Sequence, residues 1–302
     1  MHMKNTNNKG CGPKRVIIPV LSVIFFIAFS FCGWKFFSIL LANRQADKAY
    51  SDFRDFALQE AAKSVSLMDG PVVAQPGASK PGLGDTETTK PSEAKQVEES
   101  AESTAALPPK SRTFSVNIKG LQQFYPELSA WLRSDATGID YPVMHGKDNE
   151  YYLTRLYDGT YNVNGSIFVD YRNTGVLTDD NTVIYGHNMK NHGMFNPLNE
   201  YKSQSFYDDN PTMMLCTSEG DLTVDLICGT VEDGNDEFVQ FDFDNFEEMC
   251  SYVDRLKARS TFKCDVVLQP GDRLVSLCTC TYETFNARYM LVGRVSGSSA
   301  EA

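Results

Sequence analysis

The chain reads as a mostly-β protein, a closed barrel with a few short helices, carried behind a transmembrane helix and a disordered linker. Three observations predict this. A charge-free run near the N-terminus has the length of a membrane span. A stretch rich in Pro, Gly, Ser, Thr, Glu and Lys follows some thirty residues later. Beyond it, short apolar, β-branched or aromatic runs alternate with turn residues.

The membrane run is Val16 to Trp34, nineteen residues without a charge. Lys14 and Arg15 precede it, so the N-terminus is expected to stay cytoplasmic and the rest to lie outside. A cleaved signal peptide is the alternative, but its apolar region would be shorter and would end in small residues. This run ends Phe31-Cys32-Gly33-Trp34-Lys35-Phe36-Phe37. Phe31 is also too large to precede a lipoprotein-type cleavage at Cys32. The expected organisation is a basic tail at 1–15, an anchor at 16–37, a polar juxtamembrane helix at 38–68, a linker at 69–112 and a globular domain at 113–298. As a flexible coil the linker would span roughly 35 Å, and it reads as a tether.

Charge supports this layout. The net charge is −11, and from Thr113 onward 14 Lys/Arg face 28 Asp/Glu, a net of −14. An acidic body argues against nucleic acid as a partner. The first fifteen residues hold Lys4, Lys9, Lys14 and Arg15 and no acid. The eight cysteines form no CxxC pair and no zinc-type cluster with histidine, so neither a metal nor another cofactor is expected. Cys216, Cys228, Cys250 and Cys264 read as small buried thiols.

In the globular part, Leu128 to Leu132 reads as a short helix after Tyr125-Pro126. Strands are expected over Tyr141–Met144, Gly165–Val169, Thr182–Tyr185, Thr212–Cys216, Leu222–Val231, Arg273–Cys280 and Arg288–Val295. One further helix is expected over Asp244–Arg259. Phe246, Met249, Cys250, Val253 and Leu256 recur there at helical spacing, with Asp244 as N-cap and Glu247 as its capping-box partner.

Three residues carry the candidate chemistry. Cys280 ends a strand-like run, and a thiol at a barrel rim is a nucleophile when ionised. Arg288 lies across a hairpin from it, where a cation and the thiol would meet across the strands. An ordinary core cysteine and a surface arginine would show the same pattern. His187 lies just past the Thr182–Tyr185 strand, placed to act as general acid and base. His192 reads as loop, and His145 as part of a surface Met-His-Gly turn.

The segments WLRSDATGIDYPVMHGKDNEYYL, NGSIFVDYRN, NTVIYGHNMKNHGMFNPL and LVSLCTCTYETFNARYMLVGR resemble a sortase, the class B kind in particular. The resemblance runs from about Tyr125 to Val295. The family pattern Thr-Leu-any-Thr-Cys appears as Ser276-Leu277-Cys278-Thr279-Cys280, with Ser for the first Thr. The helix at Asp244–Arg259 resembles the class B insertion. The resemblance implies a sortase-type barrel with Cys280 as nucleophile, His187 as acid/base and Arg288 holding the peptide and the oxyanion. Tyr185, Thr279 and Thr281 are implied as substrate contacts. Cys278 stands where class B members often have Ser, and reads as a packed thiol beside the site. A Cys278–Cys280 link would be strained, with Cα atoms roughly 6.6 Å apart along a strand.

The implied reaction is transpeptidation at the plasma membrane. Secreted proteins bearing a C-terminal sorting motif would be cleaved through a thioester and joined to an amine of peptidoglycan precursor. A pilin lysine as acceptor is the alternative, and a silent tethered scaffold is the non-enzymatic one. Papain-like hydrolases place Cys before His in the chain. L,D-transpeptidases want a Gly before the Cys and an Arg two residues after it, where this chain has Thr279 and Tyr282.

Overall fold

A computed structural model describes residues 14–68, 116–281, 283 and 285–296. Eight strands close into one barrel. They are β1 (Leu128–Ser134), β2 (Ile139–His145), β3 (Ile167–Val169), β4 (Asn181–Tyr185), β5 (Thr212–Thr217), β6 (Gly220–Asp233), β7 (Arg273–Cys280) and β8 (Ala287–Val295). The order around the barrel is β1-β2-β3-β4-β7-β8-β6-β5. Most neighbours are antiparallel, but β2–β3 and β4–β7 run parallel. Parallel pairing of β4 with β7 brings the ends of two strands distant in sequence to the same rim.

Among the described residues, four α-helices accompany the barrel: α1 (Lys14–Met68), α2 (Ile118–Gln122), α3 (Gln204–Asp209) and α4 (Phe246–Lys257). The expected helix at Leu128–Leu132 is instead β1. Its run is buried almost throughout and is held on both sides, by β2 and by β5. Tertiary pairing overrides the local helix pattern there. The Trp131 indole donates to Asp140 Oδ1 at 2.7 Å across that pair. The short helix before it is α2, capped by Asn117.

Helix α4 starts one residue later than expected. Asn245 is its cap, accepting from the Glu248 amide at 3.0 Å. Glu248 reaches back to the Asp244 amide at 2.7 Å. Asp244 lies one position too early to cap. Met249, Tyr252, Val253 and Leu256 form the buried face of α4, packed over β6 with Ile227 and Cys228.

Helix α1 runs unbroken through the expected boundary at 37/38. Between Trp34 and Met68 there is no Gly or Pro to interrupt it. From Val23 its first part is long and apolar enough to cross a membrane. Its later part is packed on the barrel: Ala46, Tyr50, Phe53 and Ala57 are buried in the core. Phe53 stacks on Tyr157 at 4.0 Å, and the Tyr50 hydroxyl donates to Gly165 O at 2.7 Å. Arg54 and Asp140 add an ion pair at 2.9 Å. The basic tail at 1–13 and the 69–112 linker lie outside the described residues.

Candidate active site

The ends of β4, β7 and β8 surround a cleft of ≈ 610 Å³ lined by His187, Cys280 and Arg288 together. The register explains the meeting. Cys280 is the last residue of β7 and pairs directly with Arg288 of β8. Tyr185, the last residue of β4, pairs with Cys278 of β7. Two residues past each of these stand His187 and Cys280, so both chains leave the barrel at the same level.

Backbone contacts hold this level. Gly186 N donates to Cys278 O at 3.1 Å, and Thr279 Oγ1 donates to Gly186 O at 2.7 Å. A Cβ on Gly186 would come within 2.7 Å of the Phe195 ring, so only glycine lets the strand pass beneath that ring. The Phe195 amide then donates to His187 O at 2.9 Å. The His187 imidazole meets Leu153 O at 2.8 Å through Nε2. A carbonyl only accepts, so Nε2 carries a proton in this arrangement.

Asn188 ties the histidine loop to the cysteine. Its Nδ2 donates to Cys280 O at 2.7 Å, and its Oδ1 accepts from Asn196 at 2.5 Å. The amide orientation is thereby set from both ends. Arg288 is half-buried, and its Nη1 donates to Asn286 O and Ala287 O at 3.2 Å each. Those bonds bend the side chain over its own hairpin. Opposite it, Gly234 donates to Asn286 O at 3.0 Å, and a Cβ there would clash with that oxygen at 2.5 Å. Thus the chain passes close to Asn286 and Arg288 at Gly234, where no side chain stands in the way.

The floor of the cleft differs from its rim. Cys278 is buried and joins the α4 side of the core. Burial pushes its thiol well above the ordinary range. Tyr185 donates to Asp170 Oδ2 at 3.0 Å, and Arg172 grips the same carboxylate at 3.0 and 2.8 Å. Burial alone would raise Asp170, but the Arg172 contacts outweigh it and hold the carboxyl below its ordinary value. Arg172 also lies over the Phe241 ring at 4.4 Å.

Of the expected substrate contacts, Tyr185 and Thr279 line the cleft, with both hydroxyls already bonded. Thr281 is not among the lining residues. It is buried just past the end of β7, where Lys202 donates to its Oγ1 at 3.0 Å and Glu283 accepts from it. Lys202 also bonds Asn199 and Glu283 and sits 4.9 Å from the Tyr289 ring centre. His145 is the last residue of β2, paired with Val169, rather than part of a turn, because β3 extends the pairing to it. His192 is an exposed turn residue at φ 61. Cys216 and Cys228 are buried thiols pushed up to about 12 by burial, whereas Cys250 and Cys264 are only partly covered.

Sequence reasoning passed over Asn188, Asp170, Arg172 and Lys202. The first three lie inside YGHN and FVDYRN, next to residues already singled out. Lys202 carries no local signal for its place beside the β7 end, since Thr281 and Glu283 are 79 and 81 positions away.

No family model matches the chain. Over 166 residues it is 32% identical to sortase B of Listeria monocytogenes, spanning 55% of this chain and 68% of that protein. Among solved structures, sortase B of Clostridium perfringens is 33% identical with a TM-score of 0.55, over 59% of this chain and 98% of that one. A Staphylococcus aureus sortase B–substrate complex is 27% identical with a TM-score of 0.57, over 62% and 88%. A closed barrel of this kind with these relatives defines a cysteine transpeptidase. The chain belongs to the sortase B family.

Proposed function

We propose that Cys280 is the nucleophile of this transpeptidase, His187 its general acid and base, and Arg288 the group that holds the peptide carbonyl and the developing oxyanion. The observation that carries the reading is the direct cross-strand pair Cys280–Arg288 beside a histidine loop tied to Cys280 O by Asn188. The Cys280 thiolate attacks the scissile carbonyl of a C-terminal sorting signal. A tetrahedral oxyanion forms, and the Arg288 guanidinium stabilises it with charge-assisted hydrogen bonds. His187 gives a proton to the leaving amine, the C–N bond breaks, and a thioester remains on Cys280. An incoming amine loses a proton to His187, attacks the thioester and releases the thiolate. The acceptor is an amine of peptidoglycan precursor.

The membrane reading rests on the exposed apolar surface of α1. In it, 16–37 anchors the chain in the plasma membrane, 1–15 stays cytoplasmic and the 113–298 catalytic domain stands outside. A substrate complex exists for the Staphylococcus aureus relative. Its existence supports a sorting-signal peptide as the ligand of the matching cleft here.

The test is mass spectrometry of the enzyme incubated with a library of sorting-type peptides, without and with an amine acceptor. An acyl adduct on Cys280, lost on adding amine and absent in His187→Ala, is expected. His145→Ala and His192→Ala should still form it. Peptide turnover that survives in Cys280→Ala would refute the assignment.

A further inference from the structure

Helix α1 carries two surfaces with no spacer between them. Its large apolar side chains are exposed from Val23 through Leu41, including Trp34, Phe36, Phe37, Ile39 and Leu40. Contact with the barrel begins at the next residue, where Asn162 Nδ2 donates to Ala42 O at 2.9 Å. At 1.5 Å per residue Ala42 stands roughly 12 Å beyond Trp34 along the helix. A headgroup layer is about 5–8 Å thick on each side of the hydrocarbon. The apolar surface continues past Trp34 to Leu41, so the bilayer edge falls between those two residues. The part of the barrel that touches Ala42 therefore stands at the headgroup layer.

That part is the hairpin around 154–163, and it is locked to α1. Tyr157 stacks on Phe53, and its hydroxyl donates to Ala49 O at 3.1 Å. The hairpin is closed by the Arg155–Tyr161 bridge and by Leu156 N donating to Thr160 O at 2.9 Å. Asn162 and Tyr157 face the helix. The alternate residues Tyr161 and Val163 point away from the core, 60% and 43% exposed. The Arg155 guanidinium lies 5.6 Å from the Tyr161 ring centre and 5.7 Å from that of Tyr151. Aromatic rings with one arginine among them are the side chains that settle at a bilayer surface. The sole acid of the hairpin, Asp158, accepts from the Thr160 amide at 2.8 Å. The domain as a whole is acidic, so charge does not draw it to anionic lipid; the contact is aromatic and apolar.

We infer that the 154–163 hairpin is a bilayer-contact surface, with Tyr161, Val163 and Arg155 seated among phospholipid headgroups. It rests on the reading of α1 as a membrane anchor. Its consequence concerns the cleft. Asn162 N donates to Thr154 O at 3.0 Å, and Leu153, the residue before it, offers its carbonyl to His187. Three residues connect the membrane-facing end of the seam to the imidazole. The His187 side of the cleft is held close to the lipid surface rather than free at the end of a long tether.

The full chain in phosphatidylcholine–phosphatidylglycerol vesicles tests this by bromolipid quenching. The native tryptophans are internal controls, because Trp34 lies on the apolar helix and Trp131 is sealed in the barrel. Tyr161→Trp should add fluorescence of which about half is lost to bromines near the headgroups and little to bromines at the acyl chain ends. Val267→Trp, at an exposed position on the α4 side, should add fluorescence that bromolipids leave unchanged. If Trp34 is quenched while the fluorescence added by Tyr161→Trp is no more quenched than that added by Val267→Trp, the contact surface is overturned and the anchor stands. An unquenched Trp34 would remove the anchor reading and this surface with it.

Discussion

The rim and the floor of the cleft lie two residues apart on one strand, yet their chemistry diverges. At the rim Cys280 is partly exposed, with the half-buried Arg288 opposite it and the His187 loop beside it. On the floor Cys278 is sealed, and its neighbours Tyr185, Asp170 and Arg172 bond one another. Both thiols share a residue type and a strand face. Burial separates them: it pushes the floor thiol up and holds it protonated, while the rim thiol lies partly exposed in the cleft. In the mechanism proposed above, the reacting thiol is therefore the one that stands where the barrel ends.

The strongest way to break this contrast is to exchange the thiols. Cys280→Ser should abolish peptide cleavage, whereas Cys278→Ser should keep it within about twofold, as a change in packing away from the reacting atoms. Native-state alkylation mapped by mass spectrometry should label Cys280 and leave Cys278 unlabelled at about pH 8. The opposite pattern in either assay would mean that the floor carries the chemistry.

Arg288→Lys sharpens the account of the rim. Lysine keeps the charge but loses the planar fork. A fall in kcat on the order of 10²–10³ is expected, as for loss of an oxyanion donor, with the Cys280 alkylation rate little changed. Retained turnover with slowed alkylation would instead make Arg288 a tuner of the thiol alone.

The smallest effect belongs to the floor. Asp170→Asn removes the charge-assisted bonds to Arg172 and should cost about 2 kcal/mol in urea unfolding at neutral pH. The folded carboxyl sits below its unfolded value. Its contribution is therefore present above the unfolded pKa and is lost as pH falls through the folded one. The gap between variant and parent should accordingly close as the pH drops below the ordinary carboxylate range. A gap that persists at low pH would assign the cost to packing.

Much of this was legible in the chain itself. Short apolar, β-branched or aromatic runs bounded by turn residues located seven of the eight strands, because strands buried on both faces, such as β3, β4 and β7, write near-continuous runs into local sequence. The charge-free nineteen-residue run announced an apolar helix, and the Cys, His and Arg lie in recognisable strand-end contexts. What failed locally was decided by pairing. Leu128–Leu132 is a strand because β2 and β5 flank it, and His145 is in a strand because β3 reaches it. The placement of 42–57 as part of the barrel core was invisible. Its polar outer face hides a narrow stripe of Ala46, Tyr50, Phe53 and Ala57, and only the Tyr157 side of the barrel gives that stripe a partner. Sequence alone thus determined which segments could form elements and which residues could react. The closed barrel decided which of them meet, because contacts such as Lys202 with Thr281 or Asn188 with Cys280 join positions about eighty to ninety residues apart, a separation that leaves no periodicity to read.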